Sequence, residues 1–208
     1  MKLTKPKIFN CNQSDIKETT EENYYNNKKF ITTPTTTINL SNLTFDSCIF
    51  QGIDFRNINL DNIDLIDVIF ENCDLSNKKF DSKLIQRVAF KNCKMIGINF
   101  INSSIKDVLF ESCNANYINF ANSKIKKMIV NDSNFSEMIF LQTNIKDLEL
   151  LNVDLSQAEI SETPLTNIDI SSCKIDNITI DLTSLKGVIV DRFQSSYLVG
   201  MLGIQFKE

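Results

Sequence analysis

The residues of this chain that could do chemistry are few, and their spacing argues against most of it. Six cysteines and twenty-six acidic side chains are present, but no histidine. Ser-His and Cys-His nucleophile pairs are therefore excluded, because the base that would activate the attacking atom is missing. Cys73, Cys93, Cys113 and Cys173 fall in one column at multiples of 20 residues. A metal needs about four ligands converging on a point. A ladder spaced by whole repeats does not converge, so these read as small apolar core residues. Asp61 and Asp64 could serve as an acid and base pair, but carboxylates are commonplace at outward positions. The glycines (Gly52, Gly97, Gly187, Gly200 and Gly203) form no phosphate loop. We expect no catalytic residue, no metal and no cofactor.

A period of five positions these residues. From Leu40 to Val190 every fifth residue, 31 positions in all, is large and apolar except Ala115, and eleven of them are Phe. Neither a helix (period 3.6) nor an ordinary strand (period 2) sustains such a pattern. Two residues before each sits a smaller or β-branched residue, such as Cys48, Val68, Val88 or Ser103. Two residues after it sits a turn former, eleven times Asn (42, 57, 62, 72, 77, 92, 102, 122, 152, 167 and 177). Asn bonds to nearby backbone and tolerates turn dihedrals, so each unit is a short inward-facing extended piece followed by a corner. Stacked coils put like residues above like. Phe80, Phe100, Phe120 and Phe140 repeat at 20, as do Ile85, Ile105, Ile125 and Ile145, while Met95, Ala115 and Phe135 break a period of 10. Four units therefore close one coil. Residues 38–190 form an all-β, quadrilateral parallel β-helix, a rod about 36 Å long at about 4.8 Å per coil. The Phe80, Phe100, Phe120 and Phe140 column is its core.

Two ends and one contradiction remain. Residues 1–37 are an irregular N-terminal extension, with a weak helix near Asp15 to Tyr25 and a threonine run from Thr32 to Thr37 around Pro34. Residues 191–208 leave the period. Asp191 is an N-cap with Gln194 at capping-box spacing, and Phe193, Tyr197 and Met201 make an apolar stripe with Leu198 and Leu202. Gly203 suits the helix stop. The last coil exposes an apolar cross-section and unpaired strand edges, which a solitary rod must cover. One side of the stripe covers the rod's own end. The other side, with Ile204 and Phe206, suits twofold pairing into a homodimer. Lys78 and Lys83 occupy inward places. Either both snorkel outward or residues 76–84 bulge as a loop, and of the two we expect the local distortion.

Composition and charge bound the partners. The chain is 42% apolar, yet no run approaches the roughly 18 uninterrupted apolar residues of a membrane span. Met1 to Phe9 is polar and lysine-rich without the apolar stretch of a secretory signal, so a cytoplasmic location is expected. The net charge of −4 divides unevenly: −6 over residues 40–76, +7 over 77–130 and −7 over 131–190. The basic belt lacks interleaved aromatic residues and reads as a solvated face, so no direct nucleic-acid binding is expected. The acidic half would steer a basic partner surface toward it. Asp147, Glu149, Asp154, Glu159 and Asp169 are the residues that would carry that contact.

Stretches such as Cys73-Asp74-Leu75-Ser76-Asn77 and Val153-Asp154-Leu155-Ser156-Gln157 place a small residue, Asp, a central Leu and two polar residues in order. Over residues 38–190 the chain resembles the pentapeptide-repeat family, which implies a right-handed β-helix. The tail, with Asp191, Gln194, its Leu-rich run and Leu202-Gly203-Ile204, is similar to that of the Qnr-type quinolone-resistance proteins and their mycobacterial relative. That resemblance implies an end-to-end twofold dimer imitating a DNA duplex, with DNA gyrase or topoisomerase IV as partner and fluoroquinolone resistance as an outcome. Gram-negative members interrupt their repeats with loops, whereas the count here is unbroken, so loop-free relatives are the closer comparison. Protection and inhibition of gyrase both stay open. The alternative is a scaffold rod with another partner, which the basic belt favours.

Overall fold

The computed structural model of the protein describes residues 2–16, 23–201 and 203–204. Its body is an all-β parallel solenoid of about 8 turns, four-sided, with two small helices at its C-terminal end. Coil follows coil at a constant register of 20 residues: Phe45 pairs with Leu65, Leu65 with Ile85 and Ile85 with Ile105. The corners explain why. Ten of the eleven asparagines two places after a central residue, all but Asn57, sit in the left-handed region with φ of 51–63°. Asp67, Arg87, Tyr117 and Glu137 adopt the same dihedrals at the same place. Coil closure imposes the corner, and Asn is the residue for which it costs least.

The interior is two ladders of rings and a ladder of small polar groups. Phe50, Phe70, Phe90 and Phe110 stack at centroid separations of 4.9, 5.1 and 5.0 Å. Phe80, Phe100, Phe120 and Phe140 follow at 5.4, 5.4 and 5.3 Å, all buried. Ser103, Ser123, Thr143 and Thr163 point inward, and each hydroxyl donates to the carbonyl of Phe80, Phe100, Phe120 or Phe140. A buried hydroxyl is tolerated because it is satisfied. The Cys73, Cys93 and Cys113 thiols make the equivalent contact to the Phe50, Phe70 and Phe90 carbonyls at 3.4–3.5 Å.

Three expectations need correction. The coils begin before residue 38. Tyr24–Asn26 and Lys28–Phe30 pair in parallel with Thr44–Gln51, and Tyr25 and Phe30 stack on Phe45 and Phe50. The expected helix to Tyr25 is therefore strand at its C-terminal end, while its residues 17–22 lie outside the described residues. The period is interrupted here because Pro34, and not Thr35, turns inward. Ile16 is buried against this first coil and closes the end of the core.

Residues 76–84 form no bulge. Lys79 bridges Asn99, and the Phe80 N–H donates to the Asn99 carbonyl as in other coils. Both lysines snorkel instead. The Lys78 ammonium donates to the Ile58 carbonyl one coil earlier at 2.8 Å, and that of Lys83 reaches the Asn62 side chain. Burial holds the Lys78 pKa below the ordinary lysine value. A bulge would unpair backbone from two neighbouring coils at once, which costs more than extending two flexible stems.

The third departure is at the other end. A short helix, α1 (Leu182–Leu185), replaces one corner, with the Asp181 carboxylate accepting the Ser184 N–H at 2.8 Å. Ser184 thereby takes the inward hydroxyl place that strict spacing would give Thr183, and accepts the Thr163 N–H at 3.0 Å. The register recovers by Ile189, which bridges Asp169.

Candidate interaction faces

The five carboxylates expected to carry the partner contact do not form one patch. Asp147, Glu149 and Asp169 line a shallow groove of about 640 Å³ between Leu148–Leu151 and residues 166–172. Asp154 stacks in a different column, bridging Asn134 and Lys174, and its carboxylate lies 3.5 Å from the Lys174 ammonium. Burial alone would raise its pKa, but the Ser156 N–H and the lysine offset it, leaving the carboxyl below the usual range. Glu159 is exposed on a third column, in the strand Glu159–Ser161. The charges ring the rod.

Stacking at 20 residues also pairs the basic belt with its acidic neighbours, which block counting along the sequence cannot show. The Arg87 guanidinium grips both oxygens of Asp67 at 2.6 Å. Lys94 meets Asp74 at 3.2 Å and Lys91 meets Glu111 at 3.4 Å. Burial pushes the Asp67 carboxyl up, yet Arg87 and the N–H of Lys7 outweigh it and hold it below its ordinary value.

At the C-terminal end the capping box is reciprocal. The Gln194 N–H donates to Asp191 Oδ1 at 2.8 Å, and the Asp191 N–H donates to Gln194 Oε1 at 3.0 Å. The helix that follows, α2 (Arg192–Met201), is tied to the rod by the same glutamine. Its Nε2 donates to the carbonyls of Ile170 (2.8 Å) and Cys173 (2.7 Å). In earlier coils the carbonyls of Cys93 and Cys113 each accept a backbone N–H 21 residues later. Residue 194 is that position for Cys173, and its side chain substitutes for the backbone of a coil that does not exist. The cap is legible in the sequence and this second role is not, because the coil length predicts a backbone donor at this place, whereas the donor here is a side-chain amide. Gln194→Ala should lower stability by about 2–4 kcal/mol, since two buried acceptors and one cap are lost together; urea unfolding followed by circular dichroism measures it.

The tail residues expected to pair with a second subunit divide. Phe193 is 86% exposed, and Tyr197, Met201 and Ile204 are exposed at 40–53%. Leu198 is not available: it is 6% exposed and belongs to the rod's own core cluster. It is the side of the stripe that covers the last coil. Leu202 and Phe206 lie outside the described residues.

No group of three or more Cys, Asp and Glu that could hold a metal is found among the described residues. Burial pushes the Cys48 thiol up to about 12 and that of Cys173 up to about 11, so both stay protonated and unreactive. No helix among the described residues is long and apolar enough to cross a membrane.

Comparison with known proteins agrees with this architecture. Two family models match: pentapeptide repeats (8 copies) over residues 38–77, and a pentapeptide repeat region over residues 63–134. No curated protein matches the chain. Among solved structures, a trypsin-treated variant of QnrB1, a plasmid-mediated fluoroquinolone resistance protein, is 20% identical with a TM-score of 0.40, covering 94% of this chain and 96% of that one. Full-length QnrB1 is 22% identical with a TM-score of 0.32, covering 92% and 95%. HetL, involved in heterocyst differentiation regulation in the cyanobacterium Nostoc sp., is 13% identical with a TM-score of 0.37, covering 80% and 89%. At this degree of likeness none of the three bears on what this chain binds. The strict period of five and coils that close every 20 residues agree with the two family models, so residues 38–134 are a pentapeptide-repeat region and the same coil continues beyond them.

Proposed function

We propose that the chain is a non-enzymatic rod whose acidic C-terminal coils occupy the basic DNA-binding groove of a type II topoisomerase, DNA gyrase or topoisomerase IV, in place of a duplex. Linear charge density carries this reading. Residues 131–190 hold a net −7 in 60 residues, which is three coils, or about 14 Å of rod at about 4.8 Å per coil. That is one net charge per about 2 Å, against about 1.7 Å for double-stranded DNA. The carboxylates are spread around the rod, as phosphates are around a duplex. The likeness of the tail to Qnr-type proteins points the same way. Purified protein titrated into a supercoiling assay with DNA gyrase, with and without a fluoroquinolone, tests it. A change in supercoiling, or in its sensitivity to the drug, is expected. No change in either favours the second reading, a scaffold rod for another partner, which the lysines of the 77–130 belt support.

The same proposal includes a twofold pairing through the tail, joining two acidic blocks at the centre of a longer rod. Phe193, Tyr197, Met201 and Ile204 supply the exposed apolar surface; Leu202 and Phe206, also expected in the pairing, lie outside the described residues. Equilibrium sedimentation at micromolar concentration should give a dimer, and Tyr197→Asp with Met201→Asp should give a monomer whose β-rich circular dichroism is retained. A wild-type monomer would refute the pairing.

A further inference from the structure

In the regular coils the residue immediately before the central position faces outward, and on three sides of the rod it is mostly polar. Asp54, Asp74, Lys94, Asn114, Asn134 and Asp154 form one such column. The fourth side differs. There the stacked residues are Ile49, Ile69, Ala89, Leu109 and Ile129, followed by Glu149 and Asp169. Five coils thus carry an aliphatic stripe on an outer face, continuous with the acidic groove beyond it.

A segment of the chain is seated along this stripe. The Thr4 N–H donates to Asp107 Oδ1 at 2.9 Å, the Lys7 N–H to Asp67 Oδ1 at 2.8 Å, and the Cys11 thiol to the Ser47 carbonyl at 3.2 Å. The arm therefore runs lengthwise, against the direction in which the coils progress. From Lys7 to Thr4 it climbs two coils, about 10 Å, which three residues cover only when fully extended. Leu3, Pro6 and Ile8 are half-buried, while Lys2, Lys5 and Lys7 stay exposed. Lys2 to Pro6 border a groove of about 820 Å³ with Ala89, Leu109, Ile129, the acids Asp107, Glu111 and Glu149, and a single base of the coils, Lys127. Asn131 also lines it, and its amide oxygen is shielded from solvent without a hydrogen-bond partner among the described residues.

We propose that this face is a docking groove for an extended, lysine-rich segment of another protein with aliphatic residues between its lysines, and that residues 2–11 are its resident, displaceable occupant. The chemistry of the arm defines the partner. Main-chain N–H groups meet carboxylates, apolar side chains meet the stripe, and lysines face an acidic border, so any extended segment offering those three features can take its place. Asn131 supplies an acceptor that the arm leaves unused. The groove is separate from the proposed tail pairing but shares Glu149 with the acidic coils, and peptide binding to it does not require a topoisomerase.

The probe is a fluorescein-labelled peptide with the sequence of residues 2–11, titrated against the full chain and against a variant lacking residues 2–9. Saturable binding to the shortened protein is expected, with affinity for the full chain weaker by about tenfold or more, because the arm leaves only a fraction of grooves open. Leu109→Lys in the shortened protein should abolish binding. Equal affinity for both proteins, or none for a shortened protein with intact circular dichroism, overturns the proposal. Should shortening prevent folding, hydrogen exchange on the full chain decides. The Thr4 and Lys7 amides should exchange at least about tenfold faster than those of the central coils, through a local opening. Exchange of those two amides only with global unfolding shows a fixed structural element and overturns the proposal.

Discussion

Phe100→Ala should lower the stability of the rod by about 3–5 kcal/mol, the cost of a cavity left by a fully buried aromatic side chain. The ring lies between Phe80 and Phe120 at 5.4 Å on each side, and its edge meets Phe90 and Phe110 at 6.2 and 6.3 Å. A solenoid coil touches only its neighbours, so a void at Phe100 uncouples the coils above and below it. Asn102, two residues on, occupies a solvent-facing corner at φ 58°. Asn102→Ser should cost about 1 kcal/mol or less, since Ser82 and Ser112 hold the same dihedral elsewhere in the rod. Urea unfolding followed by circular dichroism separates the two. Similar costs at both positions would mean that the inward and outward places have been exchanged.

Most of that architecture is legible in the chain because each coil repeats the same instructions. A large apolar residue every fifth position sets the inward places, and the spacing of Phe80, Phe100 and Phe120 sets the coil at four units. What escaped the reading lies wherever repetition stops. Tyr25 and Phe30 are in step with the later coils, but burial of Pro34 in place of Thr35 breaks the count between them and Leu40. Lys78 is an inward charge by spacing, whereas in the fold its stem is half-buried and its ammonium finds the Ile58 carbonyl. Leu198 and Tyr197 are neighbours on one stripe, and only the placement of α2 against the last coil shows which of them faces home.

The interaction faces were less legible, for a different reason. Charge summed along the chain gave a basic belt between acidic blocks, but residues 20 apart are the ones in contact. Arg87 with Asp67 and Lys94 with Asp74 therefore pair across the block boundary. The arm along the aliphatic stripe left no mark in the sequence, since two of its three hydrogen bonds are donated by main-chain N–H groups, which every residue but proline possesses.

The most direct test of the proposed function is to reverse the acidic coils without disturbing the rod. Asp147→Lys, Glu149→Lys, Glu159→Lys and Asp169→Lys together would change residues 131–190 from −7 to a net charge of about +1, each reversal shifting the total by two. None of the four side chains is buried, so the fold and its β-rich circular dichroism should survive. Steering toward a basic groove depends on this charge. The variant should therefore lose any effect on DNA gyrase that the wild type shows, and the wild-type effect should itself weaken steeply as salt is raised. A folded variant that acts on gyrase as strongly as the wild type would contradict the account.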